Sequence, residues 1–123
     1  MIESRIRAHV PLAPRTTIGV GGSARYFVQA EREQDVVDAV AWAKAAQQPL
    51  LVLGGGSNLV VADAGFPGLV VEMAIGGVTI ESAGDQAVAT VGAGEPWDGL
   101  LALAVTEGLA GIECLSGVPW RVG

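Results

Sequence analysis

A chain of 123 residues is one domain or part of one, with room for a single core. Half of it is apolar and 16% is charged, against roughly 25% in soluble domains, so either buried sheet fills much of it or it is a fragment whose remainder another part covers. A formal charge of −6 without any Lys or Arg run weighs against nucleic acid or an anionic membrane surface as partner, and no apolar run approaches the roughly 20 residues that span a bilayer.

In chain order, residues 1–15 read as a polar arm without the apolar core of a signal peptide, and His9 within it reads as a solvated side chain. The cytoplasm is the default location. "GVGGSA" at 19–24 has the letters of a dinucleotide fingerprint, but it precedes a strand instead of following one, which favours a glycine turn. "RYFVQA" (25–30) is that strand. Residues 31–48 then place Val36, Val40 and Ala43 at helical spacing, with Ala39 and Trp42 widening the stripe. Glu31, Glu33 and Asp35 read as a solvated, acidic helix start, and Pro49 stops the helix. "LLVL" (50–53) has no alternation, the pattern of a strand covered on both faces, so strand, helix and strand form a βαβ unit.

Beyond it, "NLVVAD" (58–63) and "LVVEM" (69–73) flank a turn, and residues 78–82 and 86–94 form a hairpin about Ala83, Gly84 and Asp85. Pro96 opens a helix whose Trp97, Leu100, Leu101, Ala104 and Val105 share a face, and Gly108 ends it. The last stretch is loop-like and stops on an apolar, Gly-containing run, the mark of a truncated chain. The expected organisation is an arm (1–15), a βαβ subdomain (16–57) and an incomplete second subdomain (58–123).

The stretch richest in chemistry is "GGGSN". Consecutive glycines can turn their N–H groups inward as an anion nest, and Ser57 and Asn58 add side-chain donors; on composition alone a plain loop and a phosphate cradle are equally good readings. It is no P-loop, because no Gly-Lys-Ser/Thr and no helix follow. Cys114 has no partner for a disulfide or metal site and reads as a buried, inert thiol. There is no triad, metal cluster or carboxylate pair in the pattern, so chemistry has to come from a cofactor.

The stretches "TTIGVGGSARYFV", "PLLVLGGGSNLVVADAGFPGLVVEM", "VTIES" and "ATVGAGEPWDGLLALAVTEGLAGIECLSGVP", in that order, resemble the N-terminal flavin-binding part of the UDP-N-acetylenolpyruvoylglucosamine reductase family, from about Thr16 to Pro119. The resemblance implies an α+β FAD-binding domain of the vanillyl-alcohol-oxidase (PCMH) type, here truncated to a small βαβ subdomain and part of a larger α+β one. It implies that Gly54, Gly55, Gly56, Ser57 and Asn58 wrap the FAD diphosphate and that Ser116, Gly117, Val118 and Pro119 lie along the flavin. It also implies a parent enzyme of peptidoglycan precursor synthesis that uses NADPH to reduce a UDP-sugar enolpyruvyl ether. The family's acid and base residues match positions beyond Gly123, so no catalytic residue is assigned and this chain alone is expected not to turn over. Trp120 stands where the family carries a small residue, and its indole is expected to crowd the cofactor or reshape the loop. Two alternatives remain open: another flavin oxidoreductase of the same fold, and a nucleotide-binding module without redox chemistry.

Overall fold

Strand β2 (Ser23–Ala30) leads into helix α1 (Glu33–Ala45), which returns the chain to β3 (Leu50–Leu53), as periodicity and the stop at Pro49 predict. The computed structural model describes residues 1–123. Two strands from outside the expected βαβ unit complete the sheet. Residues of the expected polar arm form β1 (Arg7–Pro11), antiparallel to β2, and β4 (Phe66–Met73) inserts between β2 and β3, parallel to both. The order is β1-β2-β4-β3, so the first sheet runs to Met73, past the boundary expected at 57/58.

That topology corrects the burial expected of two segments. β3 is an edge strand, and Val52 is 52% exposed; the doubly covered strand is β4, whose Leu69, Val70 and Val71 are fully buried. "NLVVAD" forms no strand, but its Val61 packs into the core. Each face of the sheet carries one cluster, because successive strand residues point to opposite sides. Ile2, Val28, Ala30, Leu69 and Val71 meet Ala39 and Ala43 of α1, with Tyr26 and Trp42 in an edge-to-face contact at 5.1 Å. On the other face Leu12, Ala24, Phe27, Leu53, Val61 and Val70 pack together. Val40 falls at the margin of the α1 stripe and is half exposed.

Asp35 also departs from the sequence reading. It is buried at the start of α1, where its carboxylate accepts hydrogen bonds from the backbone N–H groups of Glu31 and Arg32 at 3.0 and 3.1 Å. Arg5 and Arg32 close on it at 2.9 and 2.8 Å. The arm therefore returns a cation that the local sequence around Asp35 does not reveal.

The glycines of "GVGGSA" are packing residues. A methyl on Gly21 would lie 2.2 Å from the Val61 carbonyl oxygen, and one on Gly22 2.3 Å from that of Asp63. Their absence of a side chain lets residues 61–65 lie against the entry to β2.

The second half is thinner. β5 (Val78–Ala83) and β6 (Gln86–Val91) pair as the expected hairpin, its turn at Gly84 and Asp85 with Gly84 at φ 68°. Helix α2 (Trp97–Thr106) buries Leu100, Leu101 and Ala104, while Val105 of the expected face is 64% exposed. Cys114, expected to be buried, is exposed on the short 3-10 turn Glu113–Leu115, none of whose residues is buried. No helix is long and apolar enough to cross a membrane.

Candidate functional site

β3 and β4 run parallel, so their carboxyl ends open side by side, the edge where parallel sheets take ligands. The chain leaves β3 directly into Gly54, Gly55, Gly56, Ser57 and Asn58. No backbone N–H from residue 54 to residue 58 donates a hydrogen bond within the chain, and neither do the side chains of Ser57 and Asn58. A run of free donors of this length is available to an outside acceptor such as an anion.

Gly56 fixes the shape of the turn. Its φ is 72°, its carbonyl accepts the Thr17 N–H at 3.0 Å, and a methyl there would lie 2.0 Å from the Arg15 carbonyl oxygen. Gly54 and Gly55 do a different job, since methyls on them would make ordinary contacts of 3.5 and 3.7 Å with Gly123 and Arg121. They relieve no clash, and they leave the loop backbone bare of side chains.

The opposite wall comes from residues 120–123. Backbone hydrogen bonds from Trp97 to Trp120 (3.0 Å), Val122 to Glu95 (2.9 Å) and Gly123 to Ala93 (3.1 Å) hold this run against the segment before α2. Together with Val52, Leu53, Leu59 and the glycine loop it encloses a cavity of about 410 Å³. Trp120, 59% exposed, forms part of the wall. A second cavity, about 330 Å³ and without apolar lining, adjoins it across Gly54, Gly55 and Arg121. Pro14, Arg15, Thr16, Thr17 and Glu72 complete it, with Arg15 paired to Glu72 at 2.9 Å and resting 4.3 Å from the centre of the Phe27 ring.

Of the expected site residues, the structure brings Gly54, Gly55, Gly56, Ser57 and Asn58 into one cavity. Ser116, Gly117, Val118 and Pro119 lie outside it, against the start of α2: the Gly117 N–H donates to Asp98 Oδ1 at 3.0 Å, and the Trp97 indole N–H donates to the Leu115 carbonyl at 3.0 Å. The wall is made by the next four residues. Arg121 is the member that motif reading passed over, although a signal was present: residues 45–120 contain no basic side chain, so a lone cation there stands out. Its Nη1 donates to the carbonyls of Met73 (2.9 Å) and Gly94 (3.4 Å).

Chemically, the site offers free backbone donors, one cation without a carboxylate partner, a mixed apolar and polar cleft, and no group of side chains able to hold a metal ion. That donor set fits a phosphate-bearing cofactor with a flat ring system. The FAD binding domain family matches residues 24–123. The UDP-N-acetylenolpyruvoylglucosamine reductase of Saccharopolyspora erythraea is 53% identical over 113 residues, covering 91% of this chain and 31% of the relative. That of Thermobifida fusca is 45% identical over 116 residues, covering 94% and 33%. The crystal structure of the reductase MurB from Thermus caldophilus superposes with a TM-score of 0.70 at 33% identity, over 97% of this chain and 40% of that one. The chain thus spans about a third of the length of the curated relatives it matches. From the glycine loop between parallel strand ends to the likeness over nearly its whole length, the chain belongs to the FAD binding domain family, in the α+β form carried by UDP-N-acetylenolpyruvoylglucosamine reductases.

Proposed function

We propose that residues 54–58 hold the diphosphate of FAD, and that the chain is the cofactor-binding part of a reductase that uses NADPH to convert UDP-N-acetylglucosamine enolpyruvate to UDP-N-acetylmuramate in the cytoplasm. The observation that carries the binding role is the run of five backbone N–H groups without partners inside the chain. An anion there replaces water on every one of them without displacing any internal bond. Ser57 and Asn58 add hydroxyl and amide donors, and Val52, Leu59, Val122 and the Trp120 indole give an apolar lining for a ring. FAD supplies the two-electron chemistry when bound, while the chain's own residues bind, orient and shield it. Ser116, Gly117, Val118 and Pro119 take part by fixing where the 120–123 wall starts.

FAD titration of the purified chain, followed by flavin fluorescence and absorbance, tests this. Saturable binding that ADP competes for and that riboflavin matches only weakly is the expected result. A folded chain that leaves FAD free, or that binds riboflavin as tightly as FAD, would overturn the diphosphate assignment.

A further inference from the structure

We propose that Arg121 is the charged half of the phosphate cradle in this chain, a guanidinium that recognises the diphosphate of a bound nucleotide. The inference rests on the cofactor reading above. Of the other five arginines, Arg5, Arg15 and Arg32 are paired with carboxylates, and Arg7 and Arg25 lie over aromatic rings at 5.2 and 5.8 Å. Arg121 has neither kind of partner. It is held from behind by two carbonyls through Nη1 alone, which leaves its Nε and Nη2 donors unused.

The two carboxylates nearest along the surrounding backbone are already engaged. Glu72 is taken by Arg15 at 2.9 Å, and Glu95 accepts the Gly77 N–H at 2.7 Å. The side chain of Arg121 runs beside the glycine loop, within 3.7 Å at Cγ and 3.9 Å at Nε of where a methyl on Gly55 would sit. A half-buried cation without a counter-ion therefore stands next to five free N–H donors, in a stretch whose other charged side chains are all acidic. Planar guanidinium forks match phosphate oxygens, and a charge-assisted contact is roughly twice as strong as a neutral one.

FAD, NADPH and a UDP-sugar all carry a diphosphate, so the test separates recognition of the group from its source. Binding of inorganic pyrophosphate, FAD, UDP and riboflavin is measured for the parent chain and for Arg121→Gln and Arg121→Lys, each checked for folding by circular dichroism. The Gln variant is expected to lose about tenfold or more in affinity for pyrophosphate and FAD, the Lys variant less, and riboflavin is expected to be unaffected. In the parent chain, pyrophosphate should shift the Arg121 side-chain Nε–H resonance and leave those of the other arginines in place. That readout decides the matter even where a variant does not fold. Equal pyrophosphate and FAD affinity in a folded Gln variant, or an unmoved Arg121 resonance, would overturn the role of Arg121 while leaving the FAD reading intact. An Arg121-dependent affinity for pyrophosphate and UDP in a chain that does not bind FAD would support the role of Arg121 and remove the cofactor reading.

Discussion

Asp35 and Arg121 illustrate the two ways in which single side chains escaped the sequence. Each takes its meaning from a partner that arrives through the fold: Arg5 reaches Asp35 from the chain's beginning, and the glycine loop meets Arg121 near its end. The glycine run was half legible: by composition "GGGSN" reads equally well as a plain loop and as a phosphate cradle, and only the order of its neighbouring motifs favours the cradle. Asp35 also has a measurable consequence. The hydrogen-bonded Arg32 guanidinium, then Arg5 and the two backbone N–H groups, hold its carboxyl well below the usual carboxylate range against the opposing effect of burial. Because the folded-state value is depressed, the stability it contributes is complete above the unfolded value of about 4 and is lost as pH falls below it. Asp35→Asn should cost about 2 kcal/mol at neutral pH, combining a lost helix-start acceptor with ion pairs broken to a partly exposed Arg5 and a largely exposed Arg32. Urea melts at neutral and acid pH check this: the gap between variant and parent should narrow in acid, and a gap that stays constant would mean the carboxylate's charge is not what stabilises the helix start.

At the scale of elements, local pattern gave the helices, the hairpin and the strand–helix–strand order, because each depends on residues a few positions apart. Strand neighbours were not available in the same way. "LLVL" and "LVV" are equally apolar, and only the insertion of β4 between β2 and β3 decides which of them is covered twice. The arm reads as polar by itself, yet pairing Arg7 with Phe27 and Val10 with Ala24 turns it into a sheet edge, and Leu12 just beyond is buried. The elements also differ in how deeply they are anchored. β2 buries Ala24, Phe27, Val28 and Ala30 and β4 buries Leu69, Val70, Val71 and Glu72, whereas β5 and β6 bury no side chain and face α2 across a cavity of about 690 Å³. Native-state hydrogen exchange should therefore find the amides of β5 and β6 opening far more readily than those of β2 and β4. Equal protection in both sets would mean that the hairpin is as firmly packed as the sheet.

Across the whole molecule, the site is assembled from the two regions least alike in packing. The glycine loop extends from the well-buried sheet, and residues 120–123 bring the second wall back through three backbone hydrogen bonds to the segment before α2. The family resemblance points to residues 116–119 as well as to the glycine loop; in this chain Gly117 is tied to Asp98 beside α2, and residues 120–123 line the cleft with the loop. Trp120, expected to crowd a cofactor or reshape the loop, lines the cleft. With a chain that spans about a third of its curated relatives, cofactor capture is the part of the proposed activity that these residues can be asked to perform by themselves. The most direct test is a pair of backbone amide correlation spectra of the isotope-labelled chain, without and with FAD. The amides of residues 54–58 are expected to move together and saturably as their free donors meet the diphosphate, with smaller changes at residues 120–123. Shifts gathered instead around Gly21 and Gly22, or in the cavity between α2 and the hairpin, with the loop amides unmoved, would contradict the assignment of this site to the cofactor.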